Sequence, residues 1–266
     1  MTPSEVWNDA LQAAALLAID PEGLGGVCLR ARAGPARDAW LDQLARLQPV
    51  RSSVRLPPGI GDERLLGGLD LASTLSAGRP VRAQGLLESA SGKSLVLPMA
   101  ERAAPGLAAR IAAQMDRGAG FSIVLLDEGA DPNEAAPDAL ADRCAFVVPL
   151  EEIPLSELSP RTTAATSIEP ARKDIDKVTL SDDAIVQLTG IAAAFGIGSL
   201  RAPLFALRAA RAAAALRGGH HVSDEDLALA ARLVLTPKAM QLPMPAEDTG
   251  DEQPAPNEHN EAELDR

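Results

Sequence analysis

The chain has 266 residues, of which 46% are hydrophobic and 2% aromatic, and its formal net charge at pH 7 is −12. This composition predicts a core of Leu, Ala, Val and Ile. It disfavours a duplex DNA-binding protein, which needs a basic face. No apolar run reaches the ~18 residues of a membrane span and no signal peptide opens the sequence, so we expect a cytoplasmic location.

The N-terminal segment predicts a helix, a strand and a second helix. Thr2, Pro3 and Glu5 form a helix start with a capping box, and the helix is expected to end at the sequence DPEG. Residues 26–30, GVCLR, predict a buried strand. Residues 35–47 predict a helix with one apolar face.

Strands and helices continue to alternate up to about residue 150. The stretch 49–92 is rich in turn residues. After it the sequence predicts strands at 94–97, 121–126 and 145–149, and helices at 105–117 and 137–142. This alternation is typical of a parallel sheet covered by helices, so residues 1–153 are interpreted as an α/β domain.

The C-terminal part has a different pattern. Residues 154–177 are rich in Pro, Ser and Thr and predict a linker. Residues 178–240 are helical only, with Ser181 and Ser223 as N-caps, and residues 241–266 predict an acidic, proline-rich disordered tail. An α/β domain of P-loop type, with a parallel sheet and helices on both faces, followed by a small all-α lid, is the layout of an AAA+ module.

The stretch LRARAGPARDAW, residues 29–40, has the outline of a phosphate-binding loop. In G-x-x-x-x-G-K-[ST] the lysine neutralises phosphates and the hydroxyl binds Mg²⁺. Aligned with that motif, Ala31 replaces the first glycine, Gly34 keeps a turn, and Arg37 and Asp38 replace the lysine and the hydroxyl. An ordinary strand–turn–helix explains the stretch equally well.

Two further stretches resemble parts of a nucleotide site. Gly92-Lys93-Ser94 has the ending of a P-loop, but a strand follows it, so we expect an exposed turn. The strand sequence LVLPMAER ends in Ala100-Glu101 where a Walker-B motif has two acids, so only Glu101 remains as an acid. Asp127 ends the strand FSIVLLD, where a polar residue can orient water. An exposed glutamate after a strand explains Glu101 equally well.

Two arginines are candidates for contact with a nucleotide. Arg143 precedes a strand and can act as an arginine finger on a neighbouring subunit; the alternative is a surface arginine paired with Asp142. Arg201 starts an alanine-rich helix of the lid, and the alternative is a surface position. A loop is expected for the pair at 220–221, His-His, with no metal site.

The two cysteines, Cys28 and Cys144, each lie in an apolar run. Buried thiols in a reducing compartment are the expected state, rather than a disulfide or a metal pair.

Together these residues resemble a family, the D subunits of magnesium chelatase, over about residues 1–240. The stretches that carry the resemblance are RARAGPARDAW, LPPGIGDERLLGGLDLASTLSAGRPVRAQGLLESA, LADRCAFVVPL and GSLRAPLFALRAARAAAALRGGHHVSDEDLALAARLVL. The second stretch is the most specific, because it is similar to an insert that leads into the Walker-B strand of these chelatase subunits.

The resemblance implies a non-hydrolysing AAA+ subunit that assembles with the ATPase subunit, I, and with the porphyrin-binding subunit, H, in a hetero-oligomeric ring. It implies no tightly bound cofactor in this chain, with ATP and Mg²⁺ at the interface with the ATPase subunit. Arg143 then resembles the arginine finger, Arg201 the sensor-2 arginine and Asp127 the sensor-1 residue, where the hydrolysing relative has Asn. The degenerate positions Ala31, Arg37, Asp38 and Ala100 are likewise features of D rather than I.

Two other functions remain open at this point. The chain could be a self-contained AAA+ ATPase of the MoxR-like type that uses Lys93 or Arg37 in an atypical way, or a helical adaptor with no nucleotide role. A complete D subunit also continues into an integrin-I-like domain with a metal-ion-dependent adhesion site. No D-x-S-x-S motif occurs in this sequence, so we expect no such site here.

Overall fold

The computed structural model describes residues 2–57, 59–118, 120–131, 133–158 and 167–241. Strands in these ranges are β1 (Gly26–Arg30), β2 (Ser53–Arg55), β3 (Gly67–Leu69), β4 (Arg82–Gln84), β5 (Ser94–Leu97), β6 (Ser122–Asp127) and β7 (Phe146–Pro149). Helices are α1 (Pro3–Ile19), α2 (Pro35–Leu47), α3 (Asp62–Leu66), α4 (Leu71–Ala77), α5 (Leu86–Ser89), α6 (Pro105–Asp116), α7 (Asp138–Ala141), α8 (Ile168–Asp174), α9 (Asp182–Ala194), α10 (Arg201–Leu216) and α11 (Asp224–Ala230).

Five strands form one parallel sheet in the order β2-β5-β6-β1-β7. The predicted parallel α/β fold is confirmed, and the four predicted strands are present with bounds shifted by at most one residue. The edge strand β2 was not predicted, because its three residues, SVR, contain no apolar run. β1 lies between β6 and β7, so residues that follow it are placed at the middle of the sheet edge.

Helices cover both faces of the sheet, and the strand side chains alternate between two cores. Val27, Leu29, Val124 and Leu126 face one core, which also holds α1 and α2. Cys28, Ile123 and Leu125 face the other core, which also holds Leu95 and Leu97 of β5 and the apolar side of α6. This alternation explains why the strands are apolar throughout, as in sheets buried on both faces.

The first core continues without a break into the C-terminal helices. The alanine-rich face of α10 is buried and contacts α1, α8, α9 and α11. Alanine side chains let helix backbones approach closely, and α1 presents its own alanines, including Ala14 and Ala18, to the same core. The lid helices therefore share apolar packing with the α/β part of the chain.

Part of the segment predicted as a linker is packed into the structure. Ile168 and Ala171 of α8 are buried in the first core, and Arg172 Nη2 donates to the Ala18 carbonyl at the end of α1 (2.5 Å). The segment predicted as a linker therefore contains a packed helix at residues 168–174. Its sequence, IEPARKD, did not indicate a buried side because only two of its residues are buried. Residues 159–166 of the predicted linker lie outside the described residues.

The predicted helix starts are confirmed. Thr2 and Glu5 form a reciprocal capping box, Ser181 accepts from the backbone N–H of Ala184, and Ser223 forms a second capping box with Asp226. α11 continues into a π-helical turn, Ala231–Leu235. The predicted acidic tail lies, from residue 242 onward, outside the described residues.

The turn-rich stretch holds short elements, of which α3 and α5 each bury one leucine, Leu65 and Leu87, in the second core. β3 and β4 pair in an antiparallel hairpin, and α4 connects them without burying any of its residues. Among the described residues, no helix is long and apolar enough to cross a membrane.

Candidate functional site

The loop after β1 borders a cavity at the carboxyl end of the sheet. β1 ends at Arg30, and α2 begins at Pro35 with Gly34 as its N-terminal cap residue. The cavity has a volume of about 450 Å³ and is lined by residues 31–37 and by Ala130, Leu150, Glu151, Ile153 and Leu155. Ligands of open α/β folds bind outside the carboxyl ends of the strands, so this cavity occupies the candidate nucleotide position.

Arg37, in the position of the P-loop lysine, is bound by an acid of the same chain. Its Nη1 donates to Glu128 Oε1 at 2.6 Å, and the Arg37 side chain is only 12% exposed. Glu128 directly follows β6, the neighbour of β1. The positive charge that would meet a phosphate is therefore neutralised within the chain.

Asp38, in the position of the P-loop hydroxyl, faces solvent, with its side chain 70% exposed. Its backbone N–H donates to the Gly34 carbonyl (3.0 Å), which closes the first turn of α2. In a working P-loop a Ser or Thr hydroxyl at this position binds the Mg²⁺ that contacts the phosphates. A carboxylate here repels the phosphate oxygens instead.

Glu101 lies beside the ion pair of Arg37 and Glu128. Met99 adopts a left-handed backbone conformation (φ 47°), and a 3₁₀ turn over Ala100–Arg102 follows it. This turn buries Glu101, whose Oε2 accepts from the backbone N–H of Glu128 (3.0 Å). Ala100 is fully buried and has no side-chain oxygen, so the first acid of the Walker-B pair has no replacement at this position.

Asp127, the last residue of β6, holds the loop that follows it. Its side chain is buried, and its two oxygens accept from the backbone N–H groups of Gly129 (3.0 Å) and Ala136 (3.1 Å). Both carboxylate oxygens are thus engaged by the protein backbone. Asp127 fixes the shape of the loop beside the cavity.

The structure brings the predicted residues Arg37, Glu101 and Asp127 together at one edge of the sheet. It also adds Glu128, which contacts both Arg37 and Glu101 and which sequence reasoning missed. The signal was present, because Asp-Glu is an acid pair that ends the most apolar strand, but only Asp127 was singled out.

The donor set of this cavity differs from the one that Mg·ATP requires. Over residues 31–38, all of which the structure describes, the loop has no lysine and no hydroxyl side chain. Pro35 also has no backbone N–H to offer at the first turn of α2. The loop thus lacks the lysine and the hydroxyl of a working P-loop, and its Arg37 is already paired, whereas Arg32 also lines the cavity.

Arg143 lies before β7, at the amino ends of the strands, on the side of the sheet opposite the Gly34 cavity. It forms a bidentate ion pair with Asp116, the last residue of α6, through Nε to Oδ1 (2.9 Å) and Nη2 to Oδ2. Its Nη1 donates to the Ala139 carbonyl (2.6 Å), and its side chain is 16% exposed. The ion-pair partner is therefore Asp116, and the alternative pairing with Asp142 is wrong.

Asp116 is electrostatically tied to this arginine. The hydrogen bonds from Arg143 lower the pKa of the Asp116 carboxyl below its usual range, and the charge of Arg201 acts in the same direction. The pKa of the Arg143 guanidinium is raised by the same hydrogen bonds. Both groups are thus charged whenever the protein is folded near neutral pH.

Arg201, at the start of α10, lies next to Arg143 and away from the Gly34 cavity. Its Nη1 donates to Asp142 Oδ2 (2.9 Å) and its Nη2 to Asp116 Oδ1 (3.2 Å). These residues surround the amino ends of β1 and β6, whereas the cavity lies at the carboxyl ends. The structure therefore does not group Arg201 with Gly34, Arg37 and Asp38, because the lid docks on the opposite edge of the sheet.

Lys93 is also remote from the cavity. Gly92 has a left-handed backbone conformation (φ 72°) and its N–H donates to the Gly120 carbonyl, so the segment forms the turn that leads into the amino end of β5. The expected turn is present, but only Gly92 is exposed: Lys93 is half-buried, and Ser94 is buried at the start of β5. In parallel strands the amino and carboxyl ends lie on opposite edges, so Lys93 cannot face the Gly34 loop.

The histidines and cysteines take structural positions. His221 Nδ1 shares a hydrogen bond with Thr179 Oγ1 (2.7 Å), and the part of the chain that the structure describes holds no group of three or more potential metal ligands. Cys28 and Cys144 are buried free thiols. Burial raises the pKa of Cys28 to about 12 and the pKa of Cys144 further, so neither is a reactive thiolate.

Known proteins resemble this chain over most of its length. It is 44% identical over 239 residues to the magnesium-chelatase 60 kDa subunit of Cereibacter sphaeroides, covering 90% of this chain and 42% of that protein. The 60 kDa subunit of Rhodobacter capsulatus is 41% identical over 86% of this chain, and this chain covers 40% of that protein. The chain thus spans about two fifths of the length of these curated relatives.

Family and structural comparisons agree with the fold. The AAA lid domain family matches residues 186–258. A candidate ATPase from Cytophaga hutchinsonii superposes with a TM-score of 0.60 at 16% identity, over 87% of this chain and 84% of that chain. An MCM homologue from Methanopyrus kandleri gives a TM-score of 0.62 at 16% identity, over 91% of this chain and 57% of that chain. These likenesses identify the fold as an AAA+ α/β unit with a helical lid.

Proposed function

From the homology of this AAA+ chain to the magnesium-chelatase 60 kDa subunits, we propose that it is a non-hydrolysing module of magnesium chelatase. In this role it is a platform on which the ATPase subunit assembles, so that ATP hydrolysis there drives Mg²⁺ insertion into protoporphyrin IX in (bacterio)chlorophyll biosynthesis. The complex is then a ligase that forms nitrogen–metal bonds, and it acts in the cytoplasm.

The observation that carries the proposal is the ion pair between Arg37 and Glu128. A P-loop cation works by meeting the β/γ-phosphates, and here that cation is neutralised and largely buried. Asp38 and Ala100 remove the hydroxyl and the acid that hold Mg²⁺ in hydrolysing relatives. The proposal is therefore that this chain binds no cofactor tightly, and that ATP and Mg²⁺ lie at its interface with the ATPase subunit.

The positive contribution of the chain in this proposal is Arg143. It lies on the sheet edge opposite the Gly34 cavity, where a neighbouring subunit of a hetero-oligomeric ring can bring its nucleotide. An arginine finger supplied in trans is worth about 10³–10⁵ in phosphoryl-transfer rate in known systems. A subunit without hydrolysis can therefore be required for the hydrolysis of its ATPase partner, while the porphyrin-binding subunit completes the complex.

The alternative of a self-contained ATPase finds no support in the geometry. Lys93 lies at the amino end of β5, and Arg37 is held by Glu128, so neither cation is available at the Gly34 cavity.

The experiment that tests the proposal is reconstitution of chelatase from its subunits with Arg143→Ala in this chain. We expect the ATPase and chelatase rates of the complex to fall at least about tenfold, given the size of arginine-finger effects. Arg110→Ala is the matched control, because it likewise removes an arginine from an ion pair with an aspartate. Arg110 lies on α6 and pairs with Asp62 at 2.7 Å. Full activity with Arg143→Ala, in a complex that still assembles, removes the arginine-finger role.

A further inference from the structure

One carboxylate lies between the two arginines at the amino ends of the strands. Asp116 Oδ1 accepts from Arg143 Nε (2.9 Å) and Arg201 Nη2 (3.2 Å), while Oδ2 accepts from Arg143 Nη2. Asp116 is 27 residues before Arg143 and 85 residues before Arg201 in the chain. The fold alone brings the three side chains together.

The position of Asp116 is unfavourable for an acid in the absence of the arginines. It is the last residue of α6, and the partial negative charge at the C-terminal end of a helix disfavours a carboxylate there. Two guanidinium groups compensate this cost. The carboxylate in turn reduces the repulsion between the two guanidinium groups.

Each arginine also has a second anchor, which keeps it in place independently of Asp116. Arg143 Nη1 donates to the Ala139 carbonyl, and Arg201 Nη1 donates to Asp142 Oδ2. If the Asp116 carboxylate moved away, the two guanidinium groups would remain converged. A converged pair of guanidinium groups is a binding site for a phosphoryl group, because their planar forks match its oxygens.

An outside anion can reach this point. The Asp116 side chain is 44% exposed, and a cavity of about 170 Å³ adjoins it. The cavity is lined by both arginines, by the two acids Asp116 and Glu22, and by small or apolar residues that include Gly118, Gly120 and Phe205. The Asp116 carboxylate is therefore exposed to solvent and also borders the cavity.

We propose that Asp116 is an internal stand-in for a phosphoryl group: it holds Arg143 and Arg201 in the isolated chain and yields them to the terminal phosphate of a nucleotide bound by a neighbouring subunit. This inference rests on the proposed function, and it adds a positioning residue to it. Asp116 then prevents the arginine pair from taking other anions until the neighbour presents its nucleotide.

The test is a titration of the whole chain with inorganic phosphate, followed by calorimetry or by NMR of the arginine side chains. Asp116→Asn removes the competing charge and is well tolerated at a helix C-terminus, and Asp116→Ala is a second variant if the first fails to fold. We expect the variant to bind phosphate about tenfold more tightly than the wild type, which corresponds to one charge-assisted hydrogen bond. The matched control Asp62→Asn breaks the Arg110 pair and should bind phosphate as the wild type does.

The double variant Asp116→Asn/Arg143→Ala identifies the site. Loss of the gain in phosphate affinity supports the inference, whereas equal affinity of wild type and Asp116→Asn, or a gain that persists without Arg143, overturns it. The reconstituted ATPase assay separates this inference from the proposed function. If Arg143→Ala lowers the partner's rate while Asp116→Asn leaves phosphate affinity unchanged, the function stands and the stand-in role fails. If phosphate affinity rises but Arg143→Ala leaves the partner's rate intact, the anion site stands and the proposed function fails.

Discussion

Arg37 and Glu128 lie 91 residues apart in the sequence, and their side chains form a hydrogen-bonded ion pair of 2.6 Å beside the Gly34 cavity. The pair joins the first turn of α2 to the end of β6. The cation in the position of the P-loop lysine therefore binds a carboxylate of the protein and not a phosphate.

The isolated chain is expected to show no binding of Mg·ATP up to millimolar nucleotide. The reason is that Arg37 is neutralised, Asp38 repels phosphate and the loop offers no hydroxyl to Mg²⁺. Isothermal titration calorimetry measures this directly. Micromolar binding that depends on Mg²⁺ would show instead that the Gly34 loop still works as a nucleotide site.

Arg37→Ala is expected to lower the free energy of unfolding by about 1–3 kcal/mol, because it leaves Glu128 without its partner at a largely buried contact. Urea denaturation measures the change. Arg102→Ala is the control, since Arg102 is mostly exposed and lies 3.6 Å from Glu101, so its loss should cost at most about 0.5 kcal/mol. If the two substitutions lower the free energy of unfolding by the same small amount, the Arg37–Glu128 pair does not stabilise the fold.

Asp127→Asn introduces the residue type that the hydrolysing relatives are expected to have at this position. Because both Asp127 oxygens accept backbone N–H groups, an amide NH₂ would face a donor at Gly129 or Ala136. We expect a loss of about 1–3 kcal/mol in unfolding free energy and no gain of ATPase activity. Asp131→Asn tests the same change at an exposed turn and should be nearly silent. A stable Asp127→Asn protein that hydrolyses ATP would contradict this account.

Ionised Asp226 is expected to stabilise the fold at neutral pH, and this contribution to the free energy of unfolding is expected to be lost in acid. Burial of this carboxyl opposes its ionisation, but the hydrogen bonds from Arg217 and Ser223 outweigh burial and lower its pKa. The folded state then binds fewer protons than the unfolded state, so the stabilisation is complete above the unfolded pKa of about 4 and is lost as pH falls below it.

Denaturation of wild type and Asp226→Asn at several pH values measures this contribution. The difference in unfolding free energy between the two proteins should be largest near neutral pH and shrink below about pH 4. A difference that stays constant over this range would show that the Asp226 charge contributes nothing to the capping box.

Local features of the fold could be predicted because their causes are local. The capping boxes at Thr2 and Ser223 span three residues each, and strands such as GVCLR carry their burial in their own composition. β2 and α8 were missed because their stability comes from neighbours. β2 is a three-residue edge strand paired with β5, and α8 buries two residues against α1 and α10.

The candidate site divides in the same way. The sequence identified Gly34, Arg37, Asp38 and Glu101 as parts of one degenerate loop-and-strand motif, because motif spacing reflects contacts along one supersecondary unit. It missed Glu128, whose role depends on β6 lying next to β1. It also named Arg201 as a candidate nucleotide contact, and the docking of the lid places that arginine beside Asp116, away from the Gly34 loop.

The sequence by itself determined the alternation of strands and helices, the helix caps and the loss of the P-loop lysine and hydroxyl. Each depends on the identity of residues a few positions apart. Only the tertiary structure decided which charges meet, namely Arg37 with Glu128 and Arg143 with Asp116. The reason is physical: an ion pair forms between whichever side chains the strand order and helix docking bring within a few ångströms, and spacing along the chain carries no record of that distance.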